Sequence, residues 1–406
     1  MIGGMKKTVS RLALAAAVAG LSTSAMAADL GGSCCADLEE RIAELEATTA
    51  RKGNRVMSLK ISGSIGQRIV WHDADGDDAR RPDKLTIEDF DDGGDLRFSG
   101  SAKLSSDITV GFRMSFDPND NGDDNVDDLY IYVESKRLGS VFVGRVDSAF
   151  DGINRISLAD IEDIMLDDAG LDGVGNGPGG YFGDGYFFFE DLDGDDAEGG
   201  TIRYVSPTLH GFVFSASYSN DADEADEDTG NTFDGEEIWA VALRYAGEFN
   251  GIRIAAGIGY EDQQAAIANA AGEFVDREIV TGSISVMHAP TGLFVNFAAG
   301  EREDSNFFGA TGTDTLTHYG FVVGVERKFI ALGKSTFYGH VNWGEFESTR
   351  AGVDDEDGVD WGLGYVQSID AAASRFNLQY LRKECVDDSA CSDDANVLYS
   401  GFVVSF

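Results

Sequence analysis

The sequence predicts an all-β fold: a 16-stranded antiparallel transmembrane β-barrel with a short N-terminal helical or coiled-coil segment. Three observations lead there. From Met57 to the C-terminus, apolar and polar residues alternate with a period of 2. The connections between these alternating segments are short and long by turns. The composition, with 51 glycines, 26 phenylalanines and 5 prolines, is a glycine- and aromatic-rich β profile rather than that of a disordered chain, despite a formal net charge of −41.

The N-terminus is set apart before any fold argument. Residues 5–27 (MKKTVSRLALAAAVAGLSTSAMA) have the organisation of a secretory signal. Lys6, Lys7 and Arg11 precede the apolar run 12–21, and Ala25-Met26-Ala27 forms an A-x-A cleavage site. The apolar run is too short to span a bilayer as a helix. The expectation is an exported protein that loses its signal, residues 1–27, with Met5 as an alternative start. Removing three cations and no acid leaves a chain still more acidic, which argues against nucleic acid or anionic membrane surfaces as bulk electrostatic partners.

Residues 28–55 read as a periplasmic helical segment. DLEERIAELEATTARKG places Leu38, Ile42, Leu45 and Thr49 on one seam. Asp37, Glu39 and Glu40 at its start and Arg51 and Lys52 at its end suit the helix dipole. Two heptads are too few to oligomerise alone. The segment is therefore either an amphipathic helix lying on a neighbour or a coiled coil supported by a larger interface.

Residues 56–406 form the barrel. In MSLKISGSIGQRIVW the odd positions Met57, Leu59, Ile61, Ile65, Ile69 and Trp71 are apolar, while Ser58, Lys60, Ser62, Ser64 and Arg68 take the even ones. The same rule sorts DLRFSGSAKLS and ITVGFRMSF and continues through FVFSASYS, RIAAGIGY, GLFVNFAAG and SRFNLQY. The sixteen predicted strands are 56–72, 94–105, 107–117, 127–136, 140–150, 201–207, 212–220, 236–249, 252–262, 274–288, 293–302, 314–329, 335–347, 358–370, 374–385 and 396–406. An even number is what a bacterial outer-membrane barrel requires.

Short turns follow the even strands, as at Arg137-Leu138-Gly139, SPTLHG, Phe249-Asn250-Gly251, HAPTG and DAAA. Long acidic connections follow the odd ones, among them DADGDDARRPDKLTIEDFDD and NDADEADEDTGNTFDGE. A soluble sandwich has no reason to keep all short turns on one edge, whereas a membrane barrel does. Its backbone hydrogen bonds close between strands, the condition for β-structure in hydrocarbon. Trp71, Phe116, Tyr218, Trp239, Tyr260, Trp361 and Tyr380 fall near strand ends on the apolar parity, as an interfacial girdle should. The last strand sends Leu398, Phe402, Val404 and Phe406 outward.

Of four cysteines, Cys385 and Cys391 bracket a short segment and are a plausible disulfide in an oxidising compartment. The state of Cys34 and Cys35 stays open. Zinc is disfavoured, because no histidine neighbours a cysteine pair.

Several blocks resemble the trimeric general porins of alphaproteobacteria, of the rhizobial type. DLEERIAELEATTARKGNR followed by SLKISGSIG is similar to the entry to their first strand. RYVSPTLHGF resembles the turn after the sixth strand, GSVFVGRVDSAFDG the fifth strand entering the constriction loop, and YSGFVVSF the C-terminal strand. The resemblance implies a homotrimer of barrels in the outer membrane of a Gram-negative bacterium, among its lipid and lipopolysaccharide. Each barrel would be a passive pore for ions and small hydrophilic solutes.

Residues 150–200 form the longest connection and follow the fifth strand, where such pores fold a loop into the lumen. ADIEDIMLDD supplies Asp160, Glu162, Asp163, Asp167 and Asp168 as the acidic side of the constriction. The strand faces supply Arg68, Arg97, Lys103, Arg113 and Arg145 as its basic side, with Arg375 and Lys383 extending the wall and His318 and His340 also inward. A transverse field there would favour polar, oriented solutes. With so many carboxylates, weak cation selectivity is expected.

DPNDNGDDNVDD, residues 117–128, has EF-hand spacing, with Asp117, Asn119, Asn121, Asp123, Asn125 and Asp128 at ligand positions. Both flanks are period-2 strands, so it is no EF-hand. It remains either an acidic external tip holding calcium or a solvated one. Two alternatives to a general pore stay open: a substrate-specific uptake channel, and a calcium-binding adhesive barrel without conductance. An enzyme is not expected, because no serine has a histidine placed to serve it on the lipid face. Apart from calcium, no cofactor is expected.

Overall fold

The computed structural model describes residues 51–52, 55–74, 85–116, 126–161, 200–221, 236–265, 275–305, 312–349, 355–385 and 395–406. Sixteen strands close into one antiparallel barrel. They are β1 (Ser58–Ala74), β2 (Leu85–Lys103), β3 (Ile108–Phe116), β4 (Val126–Ser135), β5 (Gly139–Arg145), β6 (Gly200–Val205), β7 (Phe212–Asp221) and β8 (Glu236–Phe249). They continue with β9 (Ile252–Ala265), β10 (Val275–His288), β11 (Leu293–Ser305), β12 (Thr313–Ile330), β13 (Gly333–Ser348), β14 (Glu356–Ile369), β15 (Ser374–Cys385) and β16 (Ala395–Ser405). Each strand pairs with its sequence neighbours, and β16 closes on β1.

The alternation decides which way each side chain points. On β1, Ile61, Ile65 and Ile69 are 52%, 59% and 51% exposed, while Ser64 and Arg68 between them are buried. A soluble core would give the opposite result. Here the apolar face is the outer surface, a stable arrangement only where hydrocarbon replaces water. No helix among the described residues is long and apolar enough to cross a membrane, which says nothing of a β-barrel.

Aromatic pairs belt the outer wall. At the long-loop end, Trp239 packs on Tyr260 at 5.1 Å and Trp361 on Tyr380 at 5.7 Å. A second belt, not foreseen in the sequence, lies at the short-turn end, where Phe212 packs on Tyr245 at 4.8 Å and Phe337 on Tyr365 at 4.7 Å.

The short turns carry the conformations their residues favour. Asn250 and Gly251 both have positive φ, 50° and 79°, between the paired Phe249 and Ile252. Two positive φ values in a two-residue loop match a type I′ hairpin, whose twist suits the flanking strands. His210 and Gly211 repeat it. At the seam, Gly63 and Phe406 exchange backbone hydrogen bonds of 3.0 and 2.9 Å. A Cβ at Gly63 would lie 2.8 Å from the Phe406 ring, so glycine makes room for the terminal side chain.

Three boundaries differ from expectation by more than three residues. β2 begins at Leu85, not 94, because residues 85–89 (LTIED) pair with β1 beyond a register shift between Ile65 and Gln67. β5 stops at Arg145, since the residues after it turn into the lumen. The expected helical segment 28–55 is corrected at its end: Arg51–Lys52 pairs antiparallel with Arg55–Val56. This pair brackets Gly53-Asn54, a dipeptide with hairpin chemistry. Residues 1–50, with the expected signal 1–27, Cys34 and Cys35, lie outside the described residues, as does Cys391; Cys385 ends β15.

Candidate functional site

Residues 146–161 leave β5 and run across the inside of the barrel. They carry apolar anchors: Val146, Ala149, Phe150, Ile153, Ala159 and Ile161 are all buried. An irregular segment must place its backbone N–H groups somewhere. Here the barrel wall takes several of them. Ala149 N donates to Ser217 Oγ on β7 at 2.8 Å, Ile156 N to Ser283 Oγ on β10 at 3.1 Å and Leu158 N to Ser285 Oγ at 3.0 Å. Asp160 N then donates to Glu326 Oε2 on β12 at 2.9 Å. The segment thus follows the hydrogen-bonding direction of the sheet, stepping from strand to strand.

Side chains complete the attachment. Ser148 Oγ donates to Glu261 at 2.8 Å, Asn296 Nδ2 to Ser157 Oγ at 3.0 Å, and Arg244 to the carbonyls of Ala149 and Asp151. β9 yields space through glycine. A Cβ at Gly257 would come within contact of Ile156 and 3.1 Å from Ile153 Cδ1, and one at Gly259 would lie 2.8 Å from Phe150. Such approaches are too close for a real side chain. The serines and glycines were the residues that charge-directed reading missed. Their signal is present as period-2 small residues on the inward parity, in GIGY and GSIS.

The inner wall of β1–β6 is different. Arg113 Nε pairs with Asp128 at 2.8 Å, and Ser115 Oγ donates to the same carboxylate at 3.0 Å. Arg97 pairs with Asp95. Arg203 lies 4.9 Å over the Phe142 ring and donates to Asp147 O at 3.0 Å. Guanidinium groups on this arc are interleaved with carboxylates, which limits the net positive field they project.

Of the predicted basic residues, Arg68, Arg97 and Arg113 face inward on β1–β3. Arg145 does not. In the ladder it lies opposite Leu129, on the face of the exposed Val141 and Val143, and donates to Val126 O. Lys103 is inward by parity but ends β2 at the short-turn mouth, about 20 Å along the strand from Arg97. It belongs to the mouth rather than to a constriction.

Of the predicted acids, Asp160 is described, half-exposed and 3.6 Å from Arg375 Nη1 of β15. Glu162, Asp163, Asp167 and Asp168 lie outside the described residues. Lys383, His318 and His340 are inward and buried, with His340 Nε2 3.4 Å from Asp360. Among the proposed calcium ligands, Asp117, Asn119, Asn121, Asp123 and Asn125 lie outside the described residues. Asp128 is buried in the β4 wall and engaged by Arg113, away from any exposed tip. Among the described residues, no group of three or more His, Cys, Asp or Glu side chains is arranged to hold a metal ion.

Comparison with known proteins agrees with this fold. The family model described as Gram-negative porin matches residues 13–381. A trimer form of in-vitro folded OmpT, an outer membrane protein of Vibrio cholerae, matches at a TM-score of 0.56 and 13% identity, covering 86% of this chain and 99% of that one. An anion-selective porin from Comamonas acidovorans matches at 0.58 and 15%, covering 86% and 100%. OmpF of Salmonella typhi, in complex with daunomycin, matches at 0.52 and 12%, covering 88% and 100%. At these identities the likeness is one of fold. A search of curated proteins by sequence finds no match. The chain belongs to the Gram-negative porin family.

Proposed function

We propose that this member of the Gram-negative porin family is a passive diffusion pore for ions and small hydrophilic solutes, working as a homotrimer in the outer membrane. The observation that carries the reading is the inward segment 146–161, fastened across β7–β12 from Ser217 to Glu326. It narrows the lumen on one arc, while the opposite arc carries Arg68, Arg97 and Arg113 on its inner face. A channel needs such a constriction, whereas an adhesive barrel gains nothing from spending sixteen residues inside itself.

The constriction is read as acidic on the loop and basic on the wall, with Asp160 and Arg375 as its described contact. Glu162, Asp163, Asp167 and Asp168 would extend the acidic side. A chain of net charge −41 is expected to favour cations weakly, because fields from outer loops are screened beyond about 8 Å at physiological salt. The trimer form of the OmpT relative supports the oligomer. Residues 1–27 are read as the export signal, cleaved near Ala27.

Planar-bilayer recording tests the whole reading. Conductance steps arriving in threes are expected, with a reversal potential in a KCl gradient of cation sign. Silence at high protein concentration would refute the pore, and an anion-sign potential would refute the selectivity alone.

A further inference from the structure

The inner face of a water-filled pore has little use for aromatic rings, yet β4 and β5 place three of them there. LYIYVES sends Tyr130 and Tyr132 inward, and SVFVGR sends Phe142 inward, opposite Tyr132 in the ladder. Tyr130 is buried with Val146 at the root of the inward segment, which accounts for it as packing. Tyr132 and Phe142 are half-buried and remain open to the lumen.

Their setting is specific. The Tyr132 and Phe142 centroids are 5.8 Å apart at 36°, and Tyr130 meets Phe142 edge-on at 5.7 Å. Across the ladder from Tyr132 stands Gly111 of β3, and a side chain there would collide with the phenol end of the Tyr132 ring. The ring therefore lies along the wall above a residue that has given up its Cβ. A ring laid flat in this way has one face on backbone and the other toward the lumen. Charges of both signs border it: Arg203 over Phe142, and Glu134 two residues along β4. The recognisable feature is the flat π face rather than net charge.

We propose that Tyr132, braced by Phe142, is a stacking platform that briefly retains small planar aromatic solutes in transit. This rests on the pore reading above and names a solute class within it. Offset stacking on a ring already held in place favours a planar π-faced solute over a saturated one of equal size and charge. The platform acts on dwell time, and no covalent step is involved.

Current block in planar bilayers tests it, with benzoate and cyclohexanecarboxylate as probes. The two share a charge and nearly a size, so the carboxylate contribution cancels. Benzoate is expected to block at about 2- to 10-fold lower concentration. Tyr132→Phe should keep the preference, and Tyr132→Leu, which keeps apolar bulk without the π face, should abolish it. Equal block by the two acids in the unaltered protein would overturn the platform, and so would a preference that survives Tyr132→Leu. The comparison in the unaltered protein stands even if that variant fails to assemble. KCl conductance is recorded before either acid is added. A silent membrane therefore refutes the pore itself, while a conducting one that ignores the difference refutes only the platform.

Discussion

The inner walls of β1–β6 and β7–β12 are built from the same alternating strand and differ in what they offer the lumen. The second arc presents small acceptors and gaps: Ser217, Ser283, Ser285, Gly257 and Gly259, with Glu326 at its end. A chain segment can lie against such a surface with its amides satisfied. The first arc presents long charged side chains already engaged with each other, Arg113 with Asp128 and Arg97 with Asp95. Arg113 and Asp128 are themselves buried, so their hydrogen-bonding capacity is spent on each other rather than offered to a segment. The course of the inward segment is thus set as much by where the wall is small and polar as by where the charges are.

Substitutions can break this contrast in graded steps. The largest effect is expected on the charged arc. Asp128→Leu strands the buried Arg113 guanidinium and should cost about 3–5 kcal/mol, read from urea unfolding of the barrel in detergent. Adding Arg113→Met should recover much of the loss. If single and double variants unfold alike, the arc is not held by its ion pairs.

On the other arc, Gly257→Leu drives a side chain into Ile156 and Ile153. It should cost about 1–3 kcal/mol and raise single-channel conductance as the segment is displaced. The same change with conductance unaltered would show that the segment does not depend on this gap. Ser283→Ala and Ser285→Ala each remove an acceptor for a loop amide and should each cost roughly 0.5–1.5 kcal/mol, with noisier open-channel current. The smallest effect is expected at Asp160→Asn. Its partly exposed pairing with Arg375 is worth about 0–1 kcal/mol, so stability should hardly move. The reversal potential should shift toward anions, and an unmoved potential would remove Asp160 from the selective field.

Most of the barrel could be derived from the sequence, because a period of 2 fixes strand and facing together, and lipid demands the apolar face outside. The inward turn after β5 was legible too, from the length of its connection. The charged wall was legible only in part. Arg145 shares its odd parity with Val141 and Val143, so the alternation itself assigns it outward; counting the strand on to residue 150 concealed that. Lys103 has the right face and the wrong height, and height along a strand is not encoded in parity. Ser283 and Ser285 could be placed inward, but their role depends on which segment crosses them, a pairing across more than a hundred residues that no local pattern contains. β2 ran long because a bulge lets an acidic stretch rejoin the ladder, and acidic composition alone marks it as loop.

The seam between Gly63 and Phe406 has a consequence in time rather than in space. Every other pairing in the sheet joins strands adjacent in sequence, so each can form as its hairpin is completed. The pairing of β16 with β1 joins the first and last strands of the barrel and must wait for β16. Contacts of such separation are the slowest to form. Until Phe406 reaches Gly63, β1 and β16 both have open edges, each able to pair with a foreign strand. Losing Phe406 would therefore prolong the interval during which the chain is vulnerable to mispairing, even where the finished barrel would be nearly as stable without it.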